Sequence, residues 1–330
     1  MNKKHKSVSY AKWGLIFIAP FFIVYIVCSL FPLLSTFVYS FMDYRVQNGE
    51  ILGPAIAQTT VDGVATTDIF KNYTWLFSPD SAGRVIILNC LWNTIVMWLM
   101  GAIPQLVFSL LLAVIFTSER LRIKGQPFFK SVIYLPNIIM AAAFAMLFFT
   151  LFAPTGPINQ IFYSQEELLN GGGIRFFDNT WSARGLVATI NFLMWFGNTT
   201  ILLMAGIMGI DQSLFEAAAI DGATSFQVFR KITIPLLAPI MVYVAITSLI
   251  GGLQMFDVPQ ILTNGEPNIT TKTLVMFLND YLGNNKNYGR AGAISVITFI
   301  ITAIFSFIVF KTMSGNPSKP KKKKAAKGVS

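Results

Sequence analysis

Long apolar runs alternate with polar segments along the whole sequence. Each run reaches or approaches the ~20 residues that a helix needs to cross a bilayer. The pattern therefore predicts an all-α integral membrane protein with about six transmembrane helices. The predicted spans are Trp13–Phe41, Asn89–Phe116, Ser131–Phe152, Leu186–Ile210, Ile240–Phe256 and Ala291–Phe310. They divide the chain into an N-tail at 1–12, a membrane domain at 13–313 and a basic C-tail at 314–330.

The first apolar run is too long for the core of a signal peptide and is not followed by a small-residue cleavage site, so we expect an uncleaved membrane helix. Basic residues concentrate in the N-tail, at 117–130, in the polar stretch after the fourth span and in the C-tail. The positive-inside rule predicts that these segments, including both termini, are cytoplasmic. The segments 42–88, 153–184 and 257–290 are then external. The lysines of the C-tail are typical of a topology signal, with binding of anionic lipid as the alternative.

Composition agrees with a membrane location, because 54% of the residues are hydrophobic and only 12% are charged. The net charge of +10 comes from tails and loops, so a nucleic-acid-binding face is not expected. The only histidine, His5, lies in the N-tail, which excludes a Ser-His-Asp triad or a histidine metal site inside the membrane. Cys28 and Cys90 lie in or beside apolar runs and are expected to be packing residues.

The apolar cores of the six spans contain no acidic, basic or histidine side chain. Proton-coupled carriers commonly place such a group there despite its cost. The absence argues against proton coupling, argues less strongly against sodium coupling, and indicates an uncharged solute. No GxxxxGK[ST] motif occurs in the sequence, so any ATP hydrolysis must come from another polypeptide.

The polar stretch 213–239 separates the fourth and fifth spans. Capping boxes that begin at Ser213 and Thr224 each predict the start of a short helix. Gly222 provides the left-handed residue that ends the first helix. Pro235 and Pro239 then predict a turn into the next apolar helix. Three phenylalanines are expected to anchor this helix pair to the chain's own membrane helices: Phe215, Phe226 and Phe229.

This stretch resembles the EAA loop of ABC-importer permeases, and within them the carbohydrate-uptake branch that includes the larger maltose permease subunit. The residues that match the motif are Glu216, Ala217, Ala218, Asp221, Gly222, Ala223, Phe229 and Pro235. The segment Phe70–Phe77 and the pair Asn93-Thr94 also match the family pattern. Glu266, before Pro267, replaces a glycine that relatives usually have, so the resemblance leaves that turn undefined. The alternative interpretation of the stretch 213–239 is an ordinary cytoplasmic loop.

The resemblance implies a type I ABC importer permease fold in which the EAA loop is a cytoplasmic coupling helix that seats in a cleft of a separate ATPase. It also implies a bacterial cytoplasmic membrane, a second and different permease subunit in a heterodimer, two ATPase copies and an extracytoplasmic sugar-binding protein. This chain would be non-catalytic and would bind no cofactor, because ATP and magnesium would belong to the ATPase. A self-sufficient carrier or channel is the alternative; an intramembrane enzyme would need a catalytic constellation that the sequence lacks.

Amide and aromatic side chains in the fourth and fifth spans are candidate solute contacts. Asn191, Trp195 and Asn198 have the spacing of one helix face. An indole ring can stack on the C–H face of a sugar while carboxamides bind its hydroxyl groups. Ser248 and Gln254 flank a glycine pair at 251–252, where the fifth helix could open. The resemblance implies a sugar site between these two helices; the alternative is hydrogen bonding between neighbouring helices.

Overall fold

The structure is a computed structural model, and it describes residues 11–61, 64–118 and 124–313. Within these ranges, five helices are long and apolar enough to cross a membrane, and a bent helix pair makes six if it is counted as one span. The predicted number of spans is thereby confirmed. They are Lys12–Tyr39, Ile86–Thr117, the pair Gln126–Ile138 with Ala141–Leu151, Thr180–Met208, Ser225–Leu262 and Tyr288–Met313.

The chain divides into two compact units. The first contains the described residues up to Ile87 together with Leu278–Phe299, and the second contains Leu88–Phe277 with the described residues from Ile300 onward. The first begins with α1 (Ala11–Tyr25), a π-helical turn (Ile26–Leu30), α2 (Phe31–Tyr39), β1 (Met42–Gln47), β2 (Glu50–Ile56), β3 (Gln58–Val61), β4 (Val64–Thr67) and α3 (Lys71–Phe77).

The long membrane helix α4 (Ile86–Thr117) continues into the second unit. There follow α5 (Gln126–Ile138), α6 (Ala141–Leu151), α7 (Pro157–Phe162), α8 (Gln165–Leu169), α9 (Thr180–Met208), α10 (Gln212–Ile220), α11 (Ser225–Val228), a second π-helical turn (Phe229–Thr233), α12 (Ile234–Leu253), α13 (Asp257–Leu262) and α14 (Leu274–Asn279). A third π-helical turn (Asp280–Asn284) and α15 (Tyr288–Met313) complete the described chain.

Two β-hairpins lie within the segment 42–88, which was expected to be an external loop. The strands β1 and β2 pair antiparallel, with Gln47 opposite Glu50. Asn48 and Gly49 connect them with φ values of 54° and 86°, as a tight hairpin turn requires. The strands β3 and β4 also pair antiparallel; the turn signal at Asp62-Gly63 lies outside the described residues. The fold is thus helical throughout the membrane spans, with a small β addition.

The Phe70–Phe77 segment forms the short helix α3, as its amphipathic pattern indicates. Asn72 is buried, and its Nδ2 donates to the carbonyl oxygens of Ser40 at 3.0 Å and Met42 at 2.9 Å. The hydroxyl groups of Tyr73 and Ser40 lie 2.7 Å apart. These bonds satisfy backbone carbonyls at the end of the first span, where the helix passes into β1. The family pattern at this segment therefore has a structural role.

The third span departs from the expected straight helix. Its two halves, α5 and α6, meet at an angle of 91°, and the span starts at Gln126, five residues before the predicted Ser131. The backbone of Ile139 is extended at the break. Asn137 donates from its Nδ2 to the Met194 carbonyl oxygen on α9 at 3.1 Å, which holds the end of α5 against that helix.

The fourth span begins at Thr180, earlier than the predicted Leu186. Asn179 caps α9 because its Oδ1 accepts from the backbone N–H groups of Trp181 at 2.9 Å and Ser182 at 3.3 Å. The helix therefore incorporates Arg184, which the apolar pattern had placed in an external loop. The short helices α7 and α8 lie within the remainder of that loop.

The predicted turn at Pro235 does not exist. The helical path is continuous from Ser225 to Leu253, through α11, the second π-helical turn and α12. Within the π turn, the backbone N–H of Ile234 donates to the carbonyl oxygen of Phe229, five residues earlier. Pro235 then lies in the first turn of α12, a position that tolerates its missing N–H. The second half of the polar loop, from Ser225 onward, and the fifth span are consequently parts of one helix.

Candidate functional site

A cavity of about 370 Å³ lies among α4, α9 and α12, inside the second compact unit. Its polar lining side chains are Gln105, Asn191, Asn198, Thr199, Thr247 and Ser248, and its aromatic ones are Trp98, Trp195 and Tyr243. No acidic or basic side chain belongs to the lining that the structure describes. The cavity therefore offers neutral hydrogen-bonding groups and ring faces, which suit an uncharged, hydroxyl-rich solute better than an ion.

Four of the five candidate contact residues line this cavity. Asn191, Trp195 and Asn198 project from one face of α9, as their spacing predicts, and Ser248 projects from α12. Gln254 lies outside the lining; it is the exposed residue that caps the C-terminal end of α12. The structure therefore brings together the first four and separates the fifth.

The two asparagines of α9 differ in how much of their bonding capacity is free. The Nδ2 of Asn191 donates to the Val187 carbonyl oxygen at 2.9 Å and contacts the Met255 sulfur at 3.5 Å. The carboxamide of Asn198 is half-buried and has no hydrogen-bond partner among the described residues. A half-buried amide without a partner is available to a solute at little structural cost.

The glycine pair of α12 does not open the helix, contrary to the expectation. The helix continues through Gly251 and Gly252 to Leu253. A Cβ atom on Gly252 would lie 2.0 Å from Cδ1 of Trp98, so glycine is required here because the indole ring packs on the helix backbone. The Trp98 Nε1 donates to Ser248 Oγ at 3.3 Å, which positions this ring on the cavity wall.

Sequence reasoning missed the wall that α4 contributes. Trp98, Gly101, Ala102 and Gln105 all line the cavity and share one face of α4, with the spacing i, i+3, i+4 and i+7. The Nε2 of Gln105 donates to Thr199 Oγ1 on α9 at 2.7 Å. A search of the second span for small, polar and aromatic residues at helical spacing would have found this face.

The polar loop at 213–239 is built as two helices around a glycine, but its first cap differs from the prediction. Asp211, not Ser213, caps α10, and its Oδ1 accepts from the backbone N–H of Ser213 at 3.0 Å. This bond holds the pKa of the Asp211 carboxyl below its usual value. Asp211 is an equally good cap that lies two residues earlier, so the helix begins before the predicted capping box can form.

The second half of the loop agrees with the prediction. Thr224 and Gln227 form a complete capping box at the start of α11. Gly222 has a φ of +69°, and a Cβ atom added there would meet nothing within 4 Å. Glycine is therefore needed at this position for its backbone conformation and not for lack of space.

The residues of the EAA-like motif divide into two groups. Glu216, Ala223 and Phe229 line a second cavity, of about 640 Å³, between the loop and the C-terminal ends of α4 and α9. Asp221, Gly222 and Ala217 are exposed and lie outside it, as does Pro235, while Ala218 is buried. The motif thus has one group that lines a cavity against the chain's own helices and another that is exposed outside that cavity.

One of the three phenylalanines that were predicted to anchor the loop is highly exposed, as is a neighbouring isoleucine. Ile220, beside the Asp221-Gly222 turn, is 87% exposed, and Phe226 is 69% exposed. Phe226 therefore does not anchor the loop to the membrane helices as expected, whereas Phe215 and Phe229 are partly buried and line the second cavity. Ile220 and Phe226 are thus two large apolar side chains exposed on a polar loop.

Comparison with protein families gives a match over most of the chain. The model described as "Binding-protein-dependent transport system inner membrane component" matches residues 91–314. The arabinooligosaccharides transport system permease protein AraP of Bacillus subtilis (strain 168) is 28% identical over 308 residues, which cover 91% of this chain and 88% of AraP. The multiple sugar-binding transport system permease protein MsmF of Streptococcus mutans is 28% identical over 307 residues, covering 91% of this chain and 94% of MsmF.

A shorter and more similar match covers part of the chain. The trehalose/maltose transport system permease protein MalF of Thermococcus litoralis is 39% identical over 112 residues, or 34% of this chain and 38% of MalF. Among solved structures, a bacterial ABC transporter involved in the import of the acidic polysaccharide alginate has a TM-score of 0.71 at 19% identity, covering 94% of this chain and 97% of that chain. That likeness shows a shared fold.

Proposed function

This chain belongs to the family of binding-protein-dependent transport system inner membrane components, and on that premise we propose that it is the membrane-spanning permease subunit of an ATP-driven importer of neutral sugars. The observation that carries the proposal is the uncharged cavity among α4, α9 and α12. The sugar-transport names of relatives that align over most of the chain support the same substrate class.

The lining chemistry distinguishes neutral from acidic saccharides. Trp98, Trp195 and Tyr243 offer ring faces, and the amides of Asn191 and Asn198 offer paired donors and acceptors. The structural neighbour is described as importing an acidic polysaccharide. In this chain no lysine or arginine is among the described lining residues, so a carboxylate group would enter the cavity without a counter-charge. An oligosaccharide without acidic groups is the solute that fits.

Asn198→Ala is expected to raise the sugar concentration for half-maximal uptake about 2- to 10-fold, the cost of about one hydrogen bond. The carboxamide has no partner within the described structure, so its removal breaks no internal bond. Alanine also favours the helix more than asparagine does. The measurement is the concentration dependence of uptake by the assembled transporter.

The control for Asn198→Ala is Thr189→Ala on the same helix. Thr189 is exposed, lies outside the cavity lining and, among the described residues, bonds only to the Gly185 carbonyl oxygen of its own helix. Uptake by this control should equal that of the unmodified transporter. Equal sugar dependence in Asn198→Ala and Thr189→Ala would argue against a role of Asn198 in solute binding.

Coupling to ATP hydrolysis is proposed to run through the polar loop. The exposed turn at Asp221-Gly222, with Ile220 and Phe226 beside it, seats in a cleft of a separate ATPase. One continuous helix connects Ser225 in the loop to Ser248 in the cavity wall, a length of about 35 Å at 1.5 Å per residue. A displacement of the loop therefore moves the cavity wall as part of the same element, which favours mechanical coupling.

The remaining partners follow from this arrangement and from the family. We propose a heterodimer with a different permease, two ATPase copies that bind ATP and magnesium, and an extracytoplasmic sugar-binding protein that delivers the solute. This chain itself binds no nucleotide or metal. The positive-inside rule favours a cytoplasmic location of the loop and of both termini. The membrane is proposed to be a bacterial cytoplasmic membrane, with lipid around the spans.

The decisive experiment is co-purification of the tagged chain in detergent, followed by reconstitution of the complex into vesicles. The expected result is recovery of an ATPase and a second permease, with ATP hydrolysis that rises when a sugar-loaded binding protein is added. Vesicles that contain this chain alone should accumulate no sugar. Accumulation by the single chain would instead support the self-sufficient carrier.

A further inference from the structure

The pair Asn93-Thr94, which matches the family pattern without an assigned role, belongs to a buried polar network. Its other member is Arg184 on α9, which is 7% exposed. The Nη2 of Arg184 donates to Asn93 Oδ1 at 2.7 Å, and its Nε donates to the Thr270 carbonyl oxygen at 3.0 Å. No carboxylate among the described residues pairs with this guanidinium. Two neutral oxygen atoms and the Trp181 ring, whose centroid is 5.5 Å from the guanidinium carbon, therefore compensate its buried charge.

These side chains hold the backbone of the segment that leads into α14. The Nδ2 of Asn93 donates to the carbonyl oxygens of Ile269 at 2.7 Å and Lys272 at 3.2 Å. The Oγ1 of Thr94 accepts from the backbone N–H of Leu274 at 3.2 Å. Together with the bond from Arg184 to Thr270, side chains of two membrane helices bond four backbone polar groups in one short segment, 269–274. We call Asn93, Thr94 and Arg184 the clamp.

The gripped segment is in a conformation that needs support. Ile269 has a φ of +56°, a left-handed conformation that is costly for a β-branched residue. Its carbonyl oxygen is the one that Asn93 binds most closely. Thr271 and Thr273 are fully buried, and Thr273 Oγ1 donates to the Met255 carbonyl oxygen at 2.8 Å. The clamp holds the segment after α13, and the bond from Thr273 connects that segment to Met255 before α13.

The clamp lies between the cavity and the N-terminal ends of α4 and α9. Asn93 precedes the cavity residue Met97 by one helical turn, and Arg184 precedes Asn191 by two turns, about 10 Å along the axis. Met97 and Met255, which line the cavity, also belong to an apolar cluster with Val187, Val258 and Leu262. The topology proposed above makes these helix ends external, so the apolar cluster and then the clamp close the cavity toward the outside.

We propose that Asn93 and Arg184 are positioning residues that hold the outer closure of the solute cavity. The inference rests on the proposed function in one respect, that the cavity is the transport path. Outward opening must move α13 and its flanking segments, and a guanidinium that loses its buried oxygen partners is costly. The clamp therefore favours the closed state, and opening draws on free energy from the ATPase and binding protein.

Thiol labelling from outside the cell tests this proposal. The reporter is Gly251→Cys, because Gly251 lines the cavity and an added Cβ meets nothing within 4 Å. Cys28→Ser and Cys90→Ala remove the native thiols. In cells that express the whole transporter, a membrane-impermeant cationic thiosulfonate is expected to label the reporter at least about 10-fold faster when the clamp is broken.

Asn93→Asp and Arg184→Gln break the clamp in different ways. Asn93→Asp keeps an acceptor for Arg184 but removes both donors to the segment, whereas Arg184→Gln removes the charge. Ser109→Ala is the matched control, because it breaks a buried bond from α4 to the Phe196 carbonyl oxygen on α9, on the opposite side of the cavity. This control should label at the unmodified rate.

Labelling of the reporter cysteine by a membrane-permeant maleimide shows whether the cavity is still folded in each variant. Variants that label normally with the maleimide, and no faster than Ser109→Ala with the impermeant reagent, would overturn the inference. Labelling does not depend on the identity of the solute. If labelling is accelerated but the transporter takes up no sugar, the proposed substrate is contradicted, whereas the inference about the clamp still stands.

Discussion

Replacing Gly222 with valine is expected to abolish ATP-driven uptake while the chain still inserts and assembles. Gly222 has a φ of +69°, which a β-branched residue adopts only at considerable cost. Because no atom lies within 4 Å of the added Cβ, the effect arises from the backbone alone. The turn between α10 and α11 must then rearrange, and Ile220 and Phe226 no longer present one rigid surface. Uptake and sugar-stimulated ATP hydrolysis in reconstituted vesicles are the measurements.

Three controls make the Gly222→Val result specific. Gly222→Asn should retain most of the uptake, because asparagine tolerates the left-handed conformation, and Gly222→Ala should be intermediate. Gly83→Val imposes the same strain elsewhere, since Gly83 has a φ of +73° and equally open surroundings, and it should leave coupling unchanged. Normal uptake by Gly222→Val would show that the glycine turn does not transmit force.

The coupling loop illustrates which features a sequence can predict. Thr224, Gln227 and Gly222 act through backbone atoms within four residues, so their local pattern was sufficient to predict α11 and the turn. The start of α10 was wrong by a few residues because Asp211 and Ser213 are both good caps. The choice between them depends on where α9 ends, which the apolar pattern does not define.

The cavity was only half predictable for a different reason. The periodicity of Asn191, Trp195 and Asn198 identifies one face of one helix, and that face lines the cavity. Which helices stand opposite is a tertiary property, so the contribution of Trp98 and Gln105 was missed. Gly252 was read as a point of opening, because a glycine that admits a ring from another helix has the same sequence signature as one that permits a kink.

The bend in the third span and the hairpins of the first unit mark further limits. Hydropathy measures how apolar a segment is and is insensitive to a 91° change of direction within it. The hairpin turn at Asn48-Gly49 carries a recognisable signal, but the strands beside it are short and mostly exposed. Only pairing with each other defines them as strands, and polar composition indicates a loop equally well.

Gly197→Ala is expected to disrupt the packing of α9 on α5 and with it both stability and uptake. A Cβ atom at Gly197 would lie 2.1 Å from the Ile133 carbonyl oxygen and 2.7 Å from its carbonyl carbon. Both are backbone atoms, so no side-chain rotation relieves the clash, and overpacking of this kind costs about 1–3 kcal/mol. The neighbouring residues Trp195 and Asn198 line the cavity, so a shift of α9 also displaces the proposed sugar contacts.

Gly185→Ala on the same helix separates this clash from any general effect of a methyl group. The nearest atom to its Cβ would be the terminal Met100 methyl carbon at 4.0 Å. Alanine is therefore accommodated, and its higher helix propensity should stabilise the protein by about 0.5–1 kcal/mol. Thermal unfolding of the purified complex should shift downward for Gly197→Ala and upward or not at all for Gly185→Ala. Equal shifts would mean that α9 and α5 are not in backbone contact. Contacts other than those with α5 would then have to hold the Trp195–Asn198 face in position.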